Sequence, residues 1–165
     1  MDQIWAPWRR EFVLQGGAHT DCFLCQKAQE CKDEANYILY RGDLNYILLN
    51  AYPYNPAHLL VAPFRHVGNL EDTQEAELKE HFELVKLSVR ILNHTVKPAG
   101  HNIGMNLGRV AGAGVDDHIH THIVPRWQGD TNFLPIVSET KVLSEALQQT
   151  YAVLVAGLRE LLDSK

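Results

Sequence analysis

Positive charge is in short supply in this sequence: fifteen Lys and Arg stand against twenty Asp and Glu, a formal net charge of -5 at pH 7. A protein that binds nucleic acid through its phosphate backbone needs the opposite balance. Nucleic acid is therefore not an expected partner, and any nucleotide must be gripped by a few local contacts. Cysteine is scarce too. Cys22, Cys25 and Cys31 are the only three; they cannot all pair within one chain, and their crowding suits a metal knuckle better than a disulfide framework. A long unbroken apolar run is also missing. The longest stretch without Asp, Glu, Lys or Arg, from Leu44 to Phe64, is long enough to span a bilayer at about 20 residues. Pro53, Pro56 and Pro63 break it, and Asn45, Asn50, Asn55 and His58 would leave polar groups in hydrocarbon, so no membrane partner is expected. Met1 to Arg10 has no apolar run before a small-residue cleavage site, so no secretory leader is expected and the cytoplasm is the expected compartment.

What remains is the composition of one soluble domain: 165 residues, 45% hydrophobic and 21% charged, without repeats or low-complexity tracts. The first thirty residues read as a loop-like segment that wraps the domain. Asn36 to Arg41 and Asn45 to Asn50, parted by Gly42-Asp43, predict a β-hairpin, and His58 to Phe64 a third strand. Asp72 with Glu75 predicts a helix start, after which Leu78, Phe82, Val85, Val89, Leu92 and Val96 recur at helical spacing until Pro98. His101 to Leu107 predicts a fourth strand, leading into a loop with glycines at 108, 112 and 114, where backbone can approach a ligand closely. His118 to Val124 alternates strictly and predicts a fifth strand ended by Pro125. Ser144 to Leu162 places Leu147, Tyr151, Leu154, Val155, Leu158 and Leu162 on one face of a second long helix. The expected fold is α+β, a mainly antiparallel five-stranded sheet with two long helices in a single domain spanning 1–165.

In the fifth strand, His118, His120 and His122 share one face while Ile119, Thr121 and Ile123 take the other. Three imidazoles in a row are costly to bury without partners. With neighbours roughly 6.6 to 7 Å apart at Cα, two could converge on one metal, but all three on one ion would need a distorted strand. Cys22-Phe23-Leu24-Cys25 is a CxxC pair of the kind found in both redox and metal sites. His19, His81, His94 and His101 have no visible partners and are expected at the surface or as satisfied polar groups.

His118-Ile119-His120-Thr121-His122-Ile123-Val124-Pro125-Arg126 resembles the signature of the histidine triad (HIT) superfamily of nucleotide hydrolases and transferases. Leu49-Asn50, Pro56-Ala57-His58-Leu59-Leu60-Val61 and Asn106-Leu107-Gly108 resemble, in order, its other nucleotide-contacting segments. Trp5-Ala6-Pro7-Trp8-Arg9 and Arg126-Trp127-Gln128-Gly129-Asp130-Thr131-Asn132-Phe133 resemble the branch that contains bacterial diadenosine tetraphosphate phosphorylases. The resemblance implies that His120 is a nucleophile, since neutral imidazole offers a nitrogen lone pair at cellular pH. Attack on the α-phosphorus would give a nucleotidyl-histidine, cleaved by water or inorganic phosphate. His122 would donate to a phosphate oxygen, with His58 stabilising the same charge. Asn50 matches the ribose-binding position and Asn106 a phosphate contact, and the backbone N–H groups of Gly112, Ala113 and Gly114 could form an anion nest.

Many relatives carry Gln and Ser or Thr in that loop where Ala113 and Gly114 stand, and Asp116-Asp117 lengthens it by one residue. Cys22, Cys25, His66 and His118 match the ligands of a structural zinc in some members, so His118 is expected at both the substrate and the metal. The resemblance also implies a homodimer or higher homo-oligomer. The implied substrates are adenine nucleotides or dinucleoside polyphosphates with phosphate as acceptor. The alternatives are an AMP-releasing hydrolase or purine nucleoside phosphoramidase, a non-enzymatic adenine-nucleotide-binding protein, and a metal-dependent hydrolase with the triad as ligands.

Overall fold

The structure, a computed structural model, describes residues 22–130 and 146–164. The Trp5-Arg9 segment, most of the expected N-terminal wrap, Thr131 to Phe133 and Ser144 lie outside them. In chain order come helices α1 (Phe23–Gln29) and α2 (Asp33–Asn36), strands β1 (Ile38–Arg41), β2 (Asn45–Leu49) and β3 (Leu59–Pro63), helix α3 (Glu75–Thr95), strands β4 (Gly100–Met105) and β5 (Thr121–Arg126), and helix α4 (Leu147–Asp163). The strands form one five-stranded sheet in the order β1-β2-β3-β5-β4, antiparallel throughout.

Residues directly opposite one another in paired strands share a face, so the register sorts side chains into two layers. Ile47, Val61, Thr121 and Met105 lie in one row, and Leu49, Leu59, Ile123 and Ile103 in the next row of that face. This face carries the main core, where Leu84, Val85, Ile91 and Leu92 of α3 and Leu154 and Leu158 of α4 pack on the sheet. The other face carries Leu48, Leu60, His122 and Gly104. Over β1 to β3 it is covered by Leu24 of α1 in a second apolar cluster with Ile38, Tyr46, Leu48, Leu60 and Ala62. Among the described residues, nothing comes within 4 Å of where a Cβ on Gly104 would stand, beside His122 on this second face.

Several element boundaries differ from the expected ones. The CxxC segment opens α1, with Cys22 as its N-cap residue, where a loop was expected. Asn36 belongs to α2, and Tyr37 turns the chain into β1 in a left-handed conformation. The α3 cap is Gln74 with Glu77, in a reciprocal capping box, and Asp72 sits in a preceding 3-10 turn. The buried stripe of α3 is Glu77, His81, Leu84, Val85, Ser88, Ile91 and Leu92, while Phe82 is 55% exposed. Three polar members of that stripe conceal it from a pattern built on apolar residues alone. In α4, Leu162 is exposed and Gly157 and Thr150 are buried.

Strand β5 begins at Thr121 and runs through Pro125 to Arg126, so the first two triad histidines precede it. Pro125 is tolerated because the side of the strand it would donate from lies beyond the end of β3; the Pro125 carbonyl is met there by Asn55 Nδ2 at 3.0 Å.

Candidate active site

The three expected catalytic residues, His58, His120 and His122, converge on the second face of the sheet. His120 Nδ1 lies 2.9 Å from the carbonyl oxygen of His118. A carbonyl can only accept, so Nδ1 carries the proton and Nε2 keeps its lone pair. Burial lowers the basicity of His120, outweighing the backbone bond that favours its charged form, and the ring stays neutral near pH 7. The His122 ring stands edge-on to it, with centroids 4.9 Å apart.

His58, just ahead of β3, is fully buried. Its Nδ1 receives the Tyr54 N–H at 3.1 Å and Asn50 Nδ2 at 3.3 Å. Two donors on one nitrogen fix the proton on Nε2, which points at His122 Nδ1 3.0 Å away. The same logic puts the His122 proton on its own Nε2. Tyr54 lies over both rings, 4.8 Å from His58 and 5.5 Å from His122 between centroids. The result is a neutral acceptor nitrogen on His120 beside an oriented donor on His122. That pair suits nucleophilic attack on phosphorus with stabilisation of the charge that develops there.

Asn50 contacts His58 in this structure, and its Oδ1 accepts the Tyr52 N–H at 3.0 Å. Met105 pairs with Thr121, so Asn106 and the glycine loop leave β4 beside the point where His120 enters β5. Gly108 and Gly112 flank the 3-10 turn Arg109–Ala111 with φ of +80° and +87°, left-handed values that favour glycine. Gly112, Ala113 and Gly114 are half-buried to exposed. Asp130 is occupied: its carboxylate takes Arg126 at 2.6 and 2.8 Å, Asn55 at 2.7 Å and the Trp127 N–H. The Arg126 bond holds it below the usual carboxylate range.

His118 faces elsewhere. Its Nε2 donates to the Pro63 carbonyl at 2.9 Å, which leaves the Nδ1 lone pair 3.2 Å from Cys22 Sγ and 3.4 Å from Cys25 Sγ. His66 Nδ1 lies 3.4 Å from Cys25 Sγ, and the four ligand atoms fall within 4.8 Å of one another. Around a tetrahedral zinc, with Zn–S about 2.3 Å and Zn–N about 2.0 Å, sulfur and nitrogen stand about 3.5 Å apart. The observed spacings fit a metal ion with little adjustment.

The outer partners fit as well, because both rings turn their other nitrogen toward an oxygen, Pro63 O for His118 and Asp117 Oδ2, 3.6 Å away, for His66. Burial and the neighbouring Cys22 push the Cys25 thiol up to about 11; a divalent cation would supply the charge that lets it ionise. The four residues can therefore hold a metal, and both ring nitrogens of His118 are committed away from His120 and His122.

Two neighbourhoods escape the sequence. Asp117, read above only as part of a lengthened loop, stands behind His66. His81, expected at the surface or as a satisfied polar group with no partner visible in the sequence, is the latter, buried between Asn45 Oδ1 at 2.9 Å and Thr121 Oγ1 at 2.6 Å. Its partners lie 36 and 40 residues away in the chain, so no local pattern could reveal them.

The fold is that of the histidine triad class, and comparison with known proteins agrees. The HIT domain family model matches residues 32–129, and the chain belongs to that family. An AP-4-A phosphorylase of Mycobacterium tuberculosis is 35% identical over 161 residues, covering 93% of this chain and 83% of its own. A bis(5'-adenosyl)-triphosphatase of Saccharomyces cerevisiae is 34% identical over 92 residues, 55% of this chain and 44% of the relative. A Zn-bound histidine triad family protein from Mycobacterium smegmatis shares the fold, with a TM-score of 0.71 at 23% identity over 88% of this chain and 98% of that one.

Proposed function

We propose that this protein is a nucleotidyl transferase acting on dinucleoside polyphosphates, most simply a diadenosine tetraphosphate phosphorylase. One observation carries the chemistry: the His118 carbonyl holds His120 in the tautomer that keeps Nε2 free of a proton. Nε2 attacks the α-phosphorus, a P–N bond forms, and the α–β bridging P–O bond breaks, with ATP as leaving group from diadenosine tetraphosphate. The His122 Nε2–H, oriented through His58, donates to the oxygens that gain charge. Inorganic phosphate then attacks the adenylyl-His120, breaking the P–N bond, giving ADP and restoring the imidazole. Water as acceptor would give AMP. Asn50 and Asn106 are assigned to ribose and phosphate, and the amides of the 112–114 loop to the phosphate chain.

Cys22, Cys25, His66 and His118 are assigned to a structural zinc, because four protein ligands leave no position for substrate. Zinc there would tie α1 to the segment that follows β3 and to the start of the triad, and it takes no part in the chemistry derived above. One continuous sheet supports reading the chain as a single domain. A homodimer through β4 is supported by that strand's open edge and by exposed Ile103. No described helix is long and apolar enough to cross a membrane, and none of the three cysteines is paired, which suits a cytoplasmic setting.

Product analysis on diadenosine tetraphosphate with and without inorganic phosphate tests the reading. ADP plus ATP, formed only with phosphate, is the expected result. AMP release without phosphate would replace it with the hydrolase or phosphoramidase reading. Binding without turnover would leave only a nucleotide-binding protein.

A further inference from the structure

We propose that His81 and Thr121 are positioning residues for the triad, fixing the backbone between the nucleophile and its donor from the opposite face of the sheet. The proposal rests on the function assigned above to His120 and His122. Thr121 is the one residue between those two histidines, and its side chain points into the helix layer while theirs lie on the opposite face. Its hydroxyl meets His81 Nε2 at 2.6 Å. Asn45 decides the direction of that bond. Its Nδ2 donates to the Glu77 carbonyl at 2.9 Å and to Glu80 Oε2 at 3.0 Å, so its Oδ1 is an acceptor and takes the His81 Nδ1–H. His81 Nε2 therefore has no proton, and Thr121 must donate.

The donors run in one direction, from Thr121 to His81 to Asn45 to the Glu80 carboxylate, an order in which each bond polarises the next. Glu80 anchors the far end on backbone, taking the N–H groups of Asp43 and Leu44 at 2.7 Å each. Gly42 makes room for it, since a Cβ there would come within 2.6 Å of Glu80 Oε1. Asn45, His81 and Thr121 are all buried, so water cannot replace a lost member at no cost. An apolar residue at 121 would pack this face as well as threonine does, so the hydroxyl and its buried partner need another reason. That reason is register: the chain ties the 120–122 backbone to the β1-β2 turn and to α3. A nucleophile displaced by a fraction of an ångström from its near-attack geometry loses rate without losing affinity.

The test uses the full chain with diadenosine tetraphosphate and phosphate, comparing wild type, Thr121→Val, Thr121→Ser and His81→Leu, with His120→Ala as the inactive control. Thr121→Val should lower kcat about tenfold or more with KM within twofold, and Thr121→Ser should recover most of that rate. His81→Leu combined with Thr121→Val should lose no more than the worse single variant. A Thr121→Val kcat within twofold of wild type at equal folded fraction, or a serine variant as slow as the valine, overturns the proposal. If wild type itself makes no product, the function assigned to the site has failed and the imidazole nitrogen resonances decide instead. Those of His120 and His122 should then move in Thr121→Val and not in Thr121→Ser; unmoved resonances overturn the positioning role on its own.

Discussion

His118 and His120 are two residues apart, both buried and both held below the usual histidine range by that burial, yet they are set up for opposite tasks. The difference is which ring nitrogen a backbone carbonyl captures. Pro63 O takes Nε2 of His118 and leaves Nδ1 to the thiols; His118 O takes Nδ1 of His120 and leaves Nε2 with its lone pair. Residue type and burial are shared, so neither assigns a role to a histidine. A single accepted hydrogen bond does, because it selects the tautomer and with it the position of the lone pair.

The comparison breaks most visibly at His120. Replacing it with alanine or glycine should lower turnover about 10⁴-fold or more, since the covalent route is lost. Nucleotide affinity should stay within a few-fold, and any metal at the cysteine cluster should remain, as read by calorimetry and by metal analysis of the same preparation. Altering the other cluster should do the reverse. Cys25→Ser, or chelation of the loaded protein, should cost on the order of several kcal/mol of stability, seen as a large fall in Tm. The rate per folded molecule should change little. Immediate loss of rate from fully folded protein on chelation, restored by metal, would mean that the triad itself holds a catalytic metal.

How much of this was legible in the sequence follows from the same contrast. Period-two histidines announce an extended segment with one shared face, although only His122 falls within β5, where the register sets it on the face opposite the helix layer. The buried stripe of α3 departs from the apolar pattern because Glu77, His81 and Ser88 sit in it. Each has a partner that makes its burial tolerable, such as Arg65 for Glu77 and the Leu84 carbonyl for Ser88, and such partners come from the tertiary structure. Helix α1 has seven residues, too few turns for an apolar period to show. The crowded cysteines point to a metal knuckle from the sequence alone, but the histidine ligands of the cluster are visible only through family resemblance, since His66 and His118 lie far from the cysteine pair in the chain. The tautomers were not legible at all, because they depend on carbonyls that carry no sequence signal.

Acid sharpens the comparison by titrating the buried rings together. Burial, with a smaller push from His120 and an opposing pull from Glu77, lowers His81 from 6.5 to about 4. The folded state then binds fewer protons than the unfolded chain across that interval. The contribution of a neutral His81 is complete above pH 6.5 and is lost as the pH falls toward 4; it amounts to about 3 kcal/mol. His118 and His120 shift in the same direction. Urea midpoints at pH 7.5 and 4.5, measured with chelator present to remove metal linkage, should show this fall. His81→Gln should flatten the profile without abolishing it, and an unchanged profile in that variant would show that His81 is not the buried neutral group.

The smallest effect belongs to a fourth histidine. His94 Nε2 lies 2.6 Å from Glu160 Oε2, joining α3 to α4, the same separation as between His81 Nε2 and Thr121 Oγ1. Distance alone would rank the two bonds equal, and the charged partner would favour His94. Exposure reverses the order, since His94 and Glu160 side chains are 43% and 68% exposed while His81 is 2% exposed. Water competes for both members of the surface pair and salt screens it, so a double-mutant cycle of His94→Ala with Glu160→Ala should return about 0 to 1 kcal/mol at neutral pH. The Thr121→Val variant strands a buried acceptor on His81 and should cost about 1 to 3 kcal/mol. A surface coupling as large as the buried loss would show that these histidines are ranked by hydrogen-bond length, and the tautomer argument for His118 and His120 would lose its premise that burial makes each nitrogen count.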